Sequence, residues 1–167
     1  MKIHSVIEGT RVNGPGFRLG VWVQGCQRNC PGCFNTETCR MDGGRDVPVG
    51  ELVRLALRQQ YDGVSVSGGE PFYQDDELAR LLEECRRYGM NTLVYTGYTY
   101  EELSTAGKHA LRHCDYLIDG EYRRRPTITA AFSQSISALP SALTTEKPEI
   151  RSLSNSLSPT MQTKLIK

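Results

Sequence analysis

The chain has 167 residues, of which 38% are apolar, and this is long enough to bury one hydrophobic core without help from disulfides. Its formal net charge is +1 and the charged residues are interspersed, so we expect neither nucleic acid nor a membrane as a partner. The first eight residues lack the apolar stretch of a signal peptide and no later run approaches the length of a membrane span, which predicts a cytoplasmic protein.

The pattern of apolar residues predicts strands that alternate with helices. In chain order the predicted elements are an edge strand over residues 2–8, a buried strand over 19–24, a helix through Leu52–Leu57, a strand over 63–67, a helix through Leu78–Tyr88, a strand over 90–95, a helix from Thr99 to about His113, and a strand over 115–119. This alternation predicts an α/β fold around a parallel sheet, either an open sheet or an incomplete (βα) barrel. Ligand sites in such folds gather at the carboxyl ends of the strands.

The character of the sequence changes near residue 125. Residues 126–167 are rich in Ser and Thr, contain four prolines and show only weak periodicity. We therefore predict a core over residues 1–125 and an atypical C-terminal tail over residues 126–167. The composition of the tail fits a disordered or divergent segment at least as well as a short helix.

Three cysteines, Cys26, Cys30 and Cys33, lie within eight residues directly after the second predicted strand. In a reducing compartment such a triplet favours metal binding over disulfides. Three thiolates on a four-iron cluster leave one iron open, as in a reactive rather than a structural metal site. Two alternatives remain: a zinc knuckle completed by Cys39 or a histidine, and a closed cluster in which Cys39 is the fourth ligand. Spacing favours neither, because no second cysteine pair and no ferredoxin pattern follows.

Five short motifs carry a resemblance to a known family. They are VNGPGFR (Val12–Arg18), CPGCFN (Cys30–Asn35), SGGEP (Ser67–Pro71), YTGY (Tyr95–Tyr98) and LIDG (Leu117–Gly120). The Cys-x3-Cys-x2-Cys triplet, followed by Gly-Gly-Glu-Pro after the next strand, resembles the radical S-adenosylmethionine superfamily. All five motifs in this order resemble, more narrowly, the activating proteins of anaerobic, class III ribonucleoside-triphosphate reductase.

The resemblance implies an oxidoreductase with two cofactors. A [4Fe–4S] cluster would be held by Cys26, Cys30 and Cys33, and its open iron would bind S-adenosylmethionine. Reduction by one electron would cleave the sulfonium and give a 5′-deoxyadenosyl radical, which the family uses to leave a glycyl radical on the partner reductase. The implied partners are that reductase and an electron donor such as a flavodoxin or a thioredoxin-type system. Cys39 is then a bystander, because the open iron is required.

The resemblance also implies which residues bind S-adenosylmethionine. They are Gly32, Cys33, Phe34, Gly68, Gly69, Glu70, Thr96 and Asp119. The Glu70 carboxylate suits the ammonium of the ligand, and the neighbouring glycines allow a close approach. Phe34 offers a stacking face for adenine, with a core aromatic as the alternative. Thr96 and Asp119 stand where ribose or methionine contacts are expected, with turn capping as the alternative.

Two other functions share part of this pattern. A radical S-adenosylmethionine enzyme acting on a small molecule, such as a 7-carboxy-7-deazaguanine synthase-like protein, would keep the cluster and the Gly-Gly-Glu turn. A non-catalytic iron–sulfur or zinc module would keep only the cysteines. The activating proteins also continue into a Trp-Arg-Gly-Ser-Ser-Asn-Gln-like segment, and nothing similar follows Arg125. If that segment shapes the site or docks the reductase, this chain binds a cluster but activates weakly or not at all.

Overall fold

An open six-stranded sheet organises the molecule. The structure is a computed structural model that describes residues 1–122, so the predicted tail lies outside the described residues. The strands are β1 (Lys2–Thr10), β2 (Arg18–Val23), β3 (Arg45–Asp46), β4 (Gly63–Gly68), β5 (Asn91–Tyr95) and β6 (Tyr116–Ile118). Their spatial order is β3-β1-β2-β4-β5-β6, with β2, β4, β5 and β6 parallel and β1 antiparallel to both of its neighbours. The prediction of an α/β fold around a sheet that does not close is confirmed.

The position predicted for the first strand is wrong in one respect. The pairs Lys2 with Asp46 and Ile3 with Arg45 place the two-residue strand β3 outside β1. β3 is therefore the edge strand, and β1 is the second strand of the sheet. Nothing in the alternation of apolar residues along β1 distinguishes the two positions, because the partner is a very short segment far along the chain.

Three α-helices accompany the sheet. They are α1 (Val49–Arg58), α2 (Asp75–Arg87) and α3 (Thr105–Ala110), with short 3-10 turns at Thr36–Thr38, Pro71–Gln74 and Leu111–His113. α2 contacts both α1 and α3. Its residues Leu78, Leu81, Leu82 and Cys85 are 0% exposed, as their helical spacing requires. No helix among residues 1–122 has the length and apolar character needed to cross a membrane.

The third helix begins later than predicted. Thr99 and Glu102 stand at the spacing of a capping box, and the Thr99 N–H does donate to Glu102 Oε2 at 2.6 Å, but within a turn. The helix itself starts at Thr105, because Ser104 Oγ accepts a hydrogen bond from the Gly107 N–H at 2.8 Å and caps it.

Arg18 fastens the amino ends of the parallel strands. Its side chain is 0% exposed and donates to Ser65 Oγ at 2.6 Å, to the Val64 carbonyl at 2.8 Å and to the Pro15 carbonyl at 2.7 Å. It also donates to Asn91, at the start of β5. Burial lowers the pKa of Arg18. This guanidinium stabilises the amino edge of the sheet, and the carboxyl edge carries the residues considered next.

Candidate active site at the carboxyl edge of the sheet

A returning segment, residues 35–39, fixes the start of the cysteine loop. The Gly25 N–H donates to the Thr38 carbonyl at 2.8 Å, and the Cys26 N–H donates to the Cys39 carbonyl at 3.1 Å. These two bonds continue the pairing of the chain beyond the end of β2. The first cysteine is therefore held by backbone hydrogen bonds from a segment nine or more residues further along.

Gln24 reinforces this contact, although sequence analysis did not single it out. Its side chain is 4% exposed, and the amide nitrogen donates to the Arg40 carbonyl at 2.6 Å and to the Glu37 carbonyl at 3.2 Å. Its amide oxygen lies 3.0 Å from His4 Nδ1. A polar residue at the end of an apolar strand is the signal that could have identified it, since a buried amide needs partners.

The cysteine loop presents three free thiols. Cys26, Cys30 and Cys33 are half-buried and form no disulfide. Positive φ angles at Asn29 (50°) and Gly32 (73°) turn the chain twice within the loop. The loop therefore folds back on itself after the carboxyl end of β2.

Burial raises the pKa of the Cys26 thiol, and the nearby Glu70 charge raises it further. The backbone N–H of Arg28 lies near this sulfur and opposes the rise in its pKa. An N–H directed at a cysteine sulfur stabilises the thiolate, which is the form that binds metal.

Cys39 lies closer to the triplet than its position in the sequence indicates. Its Sγ donates to the Asn35 carbonyl at 3.7 Å, and its pKa is raised to about 11, first by burial and then by the nearby Cys33 and Cys26. The returning segment places it there. The fourth thiol therefore lies near the triplet, and the exclusion of Cys39 from the ligand set stays a prediction.

The other two cysteines are separate from the site. Cys85 and Cys114 are buried in the core, and burial raises the pKa of each to about 12. These thiols are protonated at neutral pH and act as small apolar side chains.

The donor set fits an iron–sulfur cluster. Among residues 1–122, no three His, Cys, Asp or Glu side chains stand close enough together to hold a single metal ion. In a four-iron cluster each cysteine binds a different iron, so the ligands stand farther apart than those of a mononuclear site. Three soft, half-buried thiols in one loop, none of them in a disulfide, are the type of ligand that such a cluster takes.

The Gly-Gly-Glu turn is bonded directly to the cysteine loop. The Gly69 N–H donates to the Val23 carbonyl at 2.8 Å, and the Glu70 N–H donates to the Gly25 carbonyl at 2.9 Å. A Cβ on Gly69 would lie 2.4 Å from the Gly25 oxygen, and Gly68 has a φ of +101°. Both glycines are therefore needed for the ends of β2 and β4 to approach this closely.

Glu70 ties the end of β4 to the end of β5. Its side chain is buried, with 1% exposed. Oε1 accepts from the Phe72 N–H at 3.1 Å and from Thr96 Oγ1 at 2.8 Å, and Oε2 accepts from the Gly97 N–H at 3.0 Å. Burial raises the pKa of Glu70 and these hydrogen bonds lower it. Of about four lone pairs on the carboxylate, three are engaged, which leaves one on Oε2 for a ligand.

Thr96 and Asp119 cap turns at the ends of their strands. Besides donating to Glu70, Thr96 Oγ1 accepts from the Tyr98 N–H at 3.1 Å. Asp119 is 2% exposed, and its Oδ2 accepts from the Tyr100 N–H at 2.9 Å. The capping alternative therefore describes what both side chains do in the structure. Their contact with S-adenosylmethionine stays a prediction.

Phe34 is 74% exposed, which excludes a core role for this aromatic. Its ring lies 5.5 Å from that of Tyr122, at an interplanar angle of 58°. An exposed ring directly after Cys33 keeps a face available for a planar ligand group, and the second ring extends that apolar surface.

Arg28, inside the cysteine loop, also escaped sequence analysis. Its guanidinium carbon lies 4.3 Å from the centre of the Tyr98 ring. The side chain thus reaches from the cysteine loop to the turn after β5. A basic residue between Cys26 and Cys30 is the sequence feature that could have identified Arg28.

Three thiols beside a glycine-rich acidic turn, at the carboxyl edge of an open parallel sheet, form the arrangement expected of a radical S-adenosylmethionine enzyme. Comparison with known proteins supports this class. The family model described as 4Fe-4S single cluster domain matches residues 12–136. This match covers most of the chain and extends past residue 125, where the predicted core ends.

Curated relatives are activating proteins. The chain is 31% identical over 133 residues to the anaerobic ribonucleoside-triphosphate reductase-activating protein of Escherichia coli K12, with 73% of this chain and 85% of that protein covered. It is 31% identical over 120 residues to the protein of the same name from enterobacteria phage T4, with 68% of this chain and 76% of that protein covered. It is 36% identical over 115 residues to the pyruvate formate-lyase-activating enzyme of Clostridium pasteurianum, covering 65% and 48%.

Among solved structures, QueE from Escherichia coli superposes with a TM-score of 0.48 and 15% identity, over 71% of this chain and 70% of that one. This likeness is too distant to bear on the fold or the activity. The chain belongs to the family of radical S-adenosylmethionine activating proteins that carry a single 4Fe-4S cluster domain. Its cofactors are a [4Fe–4S] cluster and S-adenosylmethionine, and its activity is that of an oxidoreductase-type activating enzyme.

Proposed function

We propose that this chain generates a glycyl radical on an anaerobic ribonucleoside-triphosphate reductase. The observation that carries the proposal is the alignment with the Escherichia coli activating protein, of which this chain covers 85%. The name of that relative, and of the phage T4 relative, gives this reductase as the protein activated. An electron donor such as a flavodoxin or a thioredoxin-type system completes the reaction. We place the protein in the cytoplasm, where thiols stay reduced.

In this proposal Cys26, Cys30 and Cys33 hold the cluster. When bound, the cluster and S-adenosylmethionine together supply a 5′-deoxyadenosyl radical, and the protein supplies binding and orientation. Burial raises the pKa of the Cys26 thiol, and the backbone N–H of Arg28 opposes this rise and so favours the thiolate, the form that binds iron. Because backbone hydrogen bonds join the Gly-Gly-Glu turn to Val23 and Gly25, directly before Cys26, the two halves of the site keep a fixed separation.

The S-adenosylmethionine site is proposed to follow the same edge of the sheet. The free lone pair of Glu70 accepts from the ammonium, and Gly68 and Gly69 allow the approach. Phe34 stacks on the adenine while the backbone of Gly32 and Cys33 lies along the adenosine. Thr96 and Asp119 contact the ribose or methionine part from the ends of β5 and β6.

The test is an anaerobic reconstitution of the full chain with iron and sulfide, followed by reduction and addition of S-adenosylmethionine. Each reaction is run with and without the reductase. We expect the visible absorption of a four-iron cluster, release of 5′-deoxyadenosine, and a glycyl radical signal in the electron paramagnetic resonance spectrum only when the reductase is present. A reductase with its radical-bearing glycine replaced by alanine is the control and should give no such signal.

Two results would contradict the proposal. 5′-Deoxyadenosine without a glycyl radical on intact reductase would point to a different substrate, such as a small molecule. A cluster that forms but never cleaves S-adenosylmethionine would point to a non-catalytic iron–sulfur module.

A further inference from the structure

We propose that Arg28 binds the carboxylate of S-adenosylmethionine and so positions that cofactor against the cluster. This inference rests on the proposed function, because it assigns a residue to the ligand that the proposed reaction uses. It assigns a role to a side chain that none of the five sequence motifs includes.

The position of Arg28 is the first argument. The residue lies between Cys26 and Cys30. Its side chain leaves the loop toward the end of β5, where a Cβ on Gly97 would lie 2.6 Å from both Cδ and Nε of the arginine. Glycine at position 97 is therefore what gives the arginine room. The guanidinium rests on the face of Tyr98, which holds its plane in one orientation.

The second argument is that the Arg28 guanidinium has unpaired hydrogen-bond donors. Within the described part of the chain, Nε of Arg28 is buried and has no hydrogen-bond partner, and no carboxylate lies within ion-pair distance of its terminal nitrogens. A buried donor without a partner is costly and calls for an explanation. An arginine presents its N–H groups as a planar fork that matches a carboxylate with two parallel hydrogen bonds.

The carboxylates near Arg28 are already engaged elsewhere. Burial raises the pKa of Glu70 and the Arg28 charge opposes that rise, while the hydrogen bond from Thr99 lowers the pKa of Glu102 and the Arg28 charge adds to that effect. Glu70 accepts three hydrogen bonds from the ends of β4 and β5, and Glu102 accepts from the Thr99 N–H at 2.6 Å. Among residues 1–122, the fork of Arg28 is therefore left for an anion that these residues do not provide.

The chemistry of the ligand supplies that anion. S-adenosylmethionine carries an ammonium and a carboxylate on the same carbon, so a site that holds it needs an acceptor and a donor close together. Glu70 with its remaining lone pair and Arg28 with its unpaired fork are such a pair. Both side chains lie against Gly97, because the Gly97 N–H donates to Glu70 Oε2 at 3.0 Å and a Cβ on Gly97 would lie 2.6 Å from Nε of Arg28.

The experiment measures equilibrium binding of S-adenosylmethionine and of its decarboxylated analogue to anaerobically reconstituted protein. Arg28→Gln, Arg28→Lys and wild type are compared at equal iron content. Arg11→Gln is the matched control, because the Arg11 guanidinium also lies over a ring, 4.9 Å from the centre of Phe17. We expect Arg28→Gln to weaken binding of S-adenosylmethionine about ten- to hundredfold, the range for a charge-assisted hydrogen-bonded pair.

The analogue separates a ligand contact from a general effect on the site. Decarboxylation should weaken binding to wild type more than binding to Arg28→Gln, because the variant has already lost one partner of the contact. The affinity of Arg28→Lys for S-adenosylmethionine should lie between those of wild type and Arg28→Gln, because lysine keeps the charge and loses the planar fork of N–H donors. Gly97→Ala, which displaces the arginine side chain without removing its charge, should weaken binding in the same direction. Arg11→Gln should bind as wild type does.

Three outcomes would overturn the assignment. One is wild-type affinity for S-adenosylmethionine in Arg28→Gln, whether or not that variant binds the reductase less well. Another is that wild type and Arg28→Gln lose the same amount of affinity when the decarboxylated analogue replaces S-adenosylmethionine. The third is an altered spectrum of the ligand-free cluster with unchanged affinity, which would give the charge a role toward the cluster alone. Failure of wild type itself to bind S-adenosylmethionine would instead contradict the proposed function.

Discussion

Replacing Glu70 by glutamine changes one buried oxygen into a nitrogen and keeps the shape of the side chain. If the amide oxygen takes the place of Oε1, it still accepts from Phe72 and Thr96. The amide nitrogen then faces the Gly97 N–H, which donates to Oε2 at 3.0 Å in the wild type. A nitrogen that carries hydrogens cannot accept this bond, so the Gly97 donor loses its partner.

The loss is that of one hydrogen bond at a buried site. An unsatisfied buried donor costs about 1–3 kcal/mol, and we expect Glu70→Gln to lower the free energy of unfolding by about that amount at acid pH. Burial raises the pKa of Glu70 above its usual 4.5, so the folded protein binds this proton more tightly than the unfolded chain. The stabilisation by protonated Glu70 is fully present below the pKa that Glu70 has in the unfolded chain. It is lost as the pH rises through the higher pKa that Glu70 has in the folded protein. The penalty of the substitution should therefore shrink as the pH rises.

Urea unfolding of the cluster-free protein measures this penalty. Trp22 is the sole tryptophan of the chain and lies in β2, so its fluorescence reports on the central sheet. Glu102→Gln is the matched control, because this exposed carboxylate accepts a single backbone hydrogen bond that lowers its pKa. The Glu102 carboxylate stabilises the folded protein above the pKa that Glu102 has in the unfolded chain, and this stabilisation is lost as the pH falls. The stability penalty of Glu102→Gln should therefore grow as the pH rises. A Glu70→Gln penalty that is absent, or that also grows with pH, would refute the reasoning.

Four further substitutions test the site. Cys30→Ala should abolish cluster assembly and Cys85→Ala should leave it intact, so equal iron content in the two proteins would contradict the ligand assignment. Cys39→Ser should keep wild-type iron content, because the open iron requires only three cysteine ligands; loss of iron would instead make Cys39 a ligand. Gly69→Ala places a methyl group 2.4 Å from the Gly25 oxygen and should reduce both urea stability and iron content, whereas unchanged values would show that the ends of β2 and β4 can separate freely.

Much of the site could be read from local sequence. The cysteine triplet, the Gly-Gly-Glu turn and the two later turns each follow a predicted strand, and carboxyl ends of parallel strands meet at one edge of a sheet. The apolar period of α2 likewise predicts its buried face, because a helix repeats every 3.6 residues whatever surrounds it. The structure shows the ends of β2 and β4 side by side at this edge, where the Gly69 N–H donates to the Val23 carbonyl and the Glu70 N–H to the Gly25 carbonyl.

Some local signals were read correctly and assigned to the wrong element. The capping-box spacing of Thr99 and Glu102 does form its hydrogen bond, yet Ser104 provides the cap of α3. A turn and a helix start use the same short-range bond, so the pattern alone does not separate them.

By itself the sequence determined the class of chemistry, because three thiols at spacings of four and three, and a glycine-rich acidic turn, are features of neighbouring residues. Tertiary structure alone decided which other side chains share the site. Cys39 lies near the thiols of Cys26 and Cys33 because its segment is hydrogen-bonded to Gly25 and Cys26, and Arg28 reaches Tyr98 because Gly97 leaves room for it. These contacts join segments that are distant along the chain, and no local periodicity encodes the hydrogen bonds that bring them together.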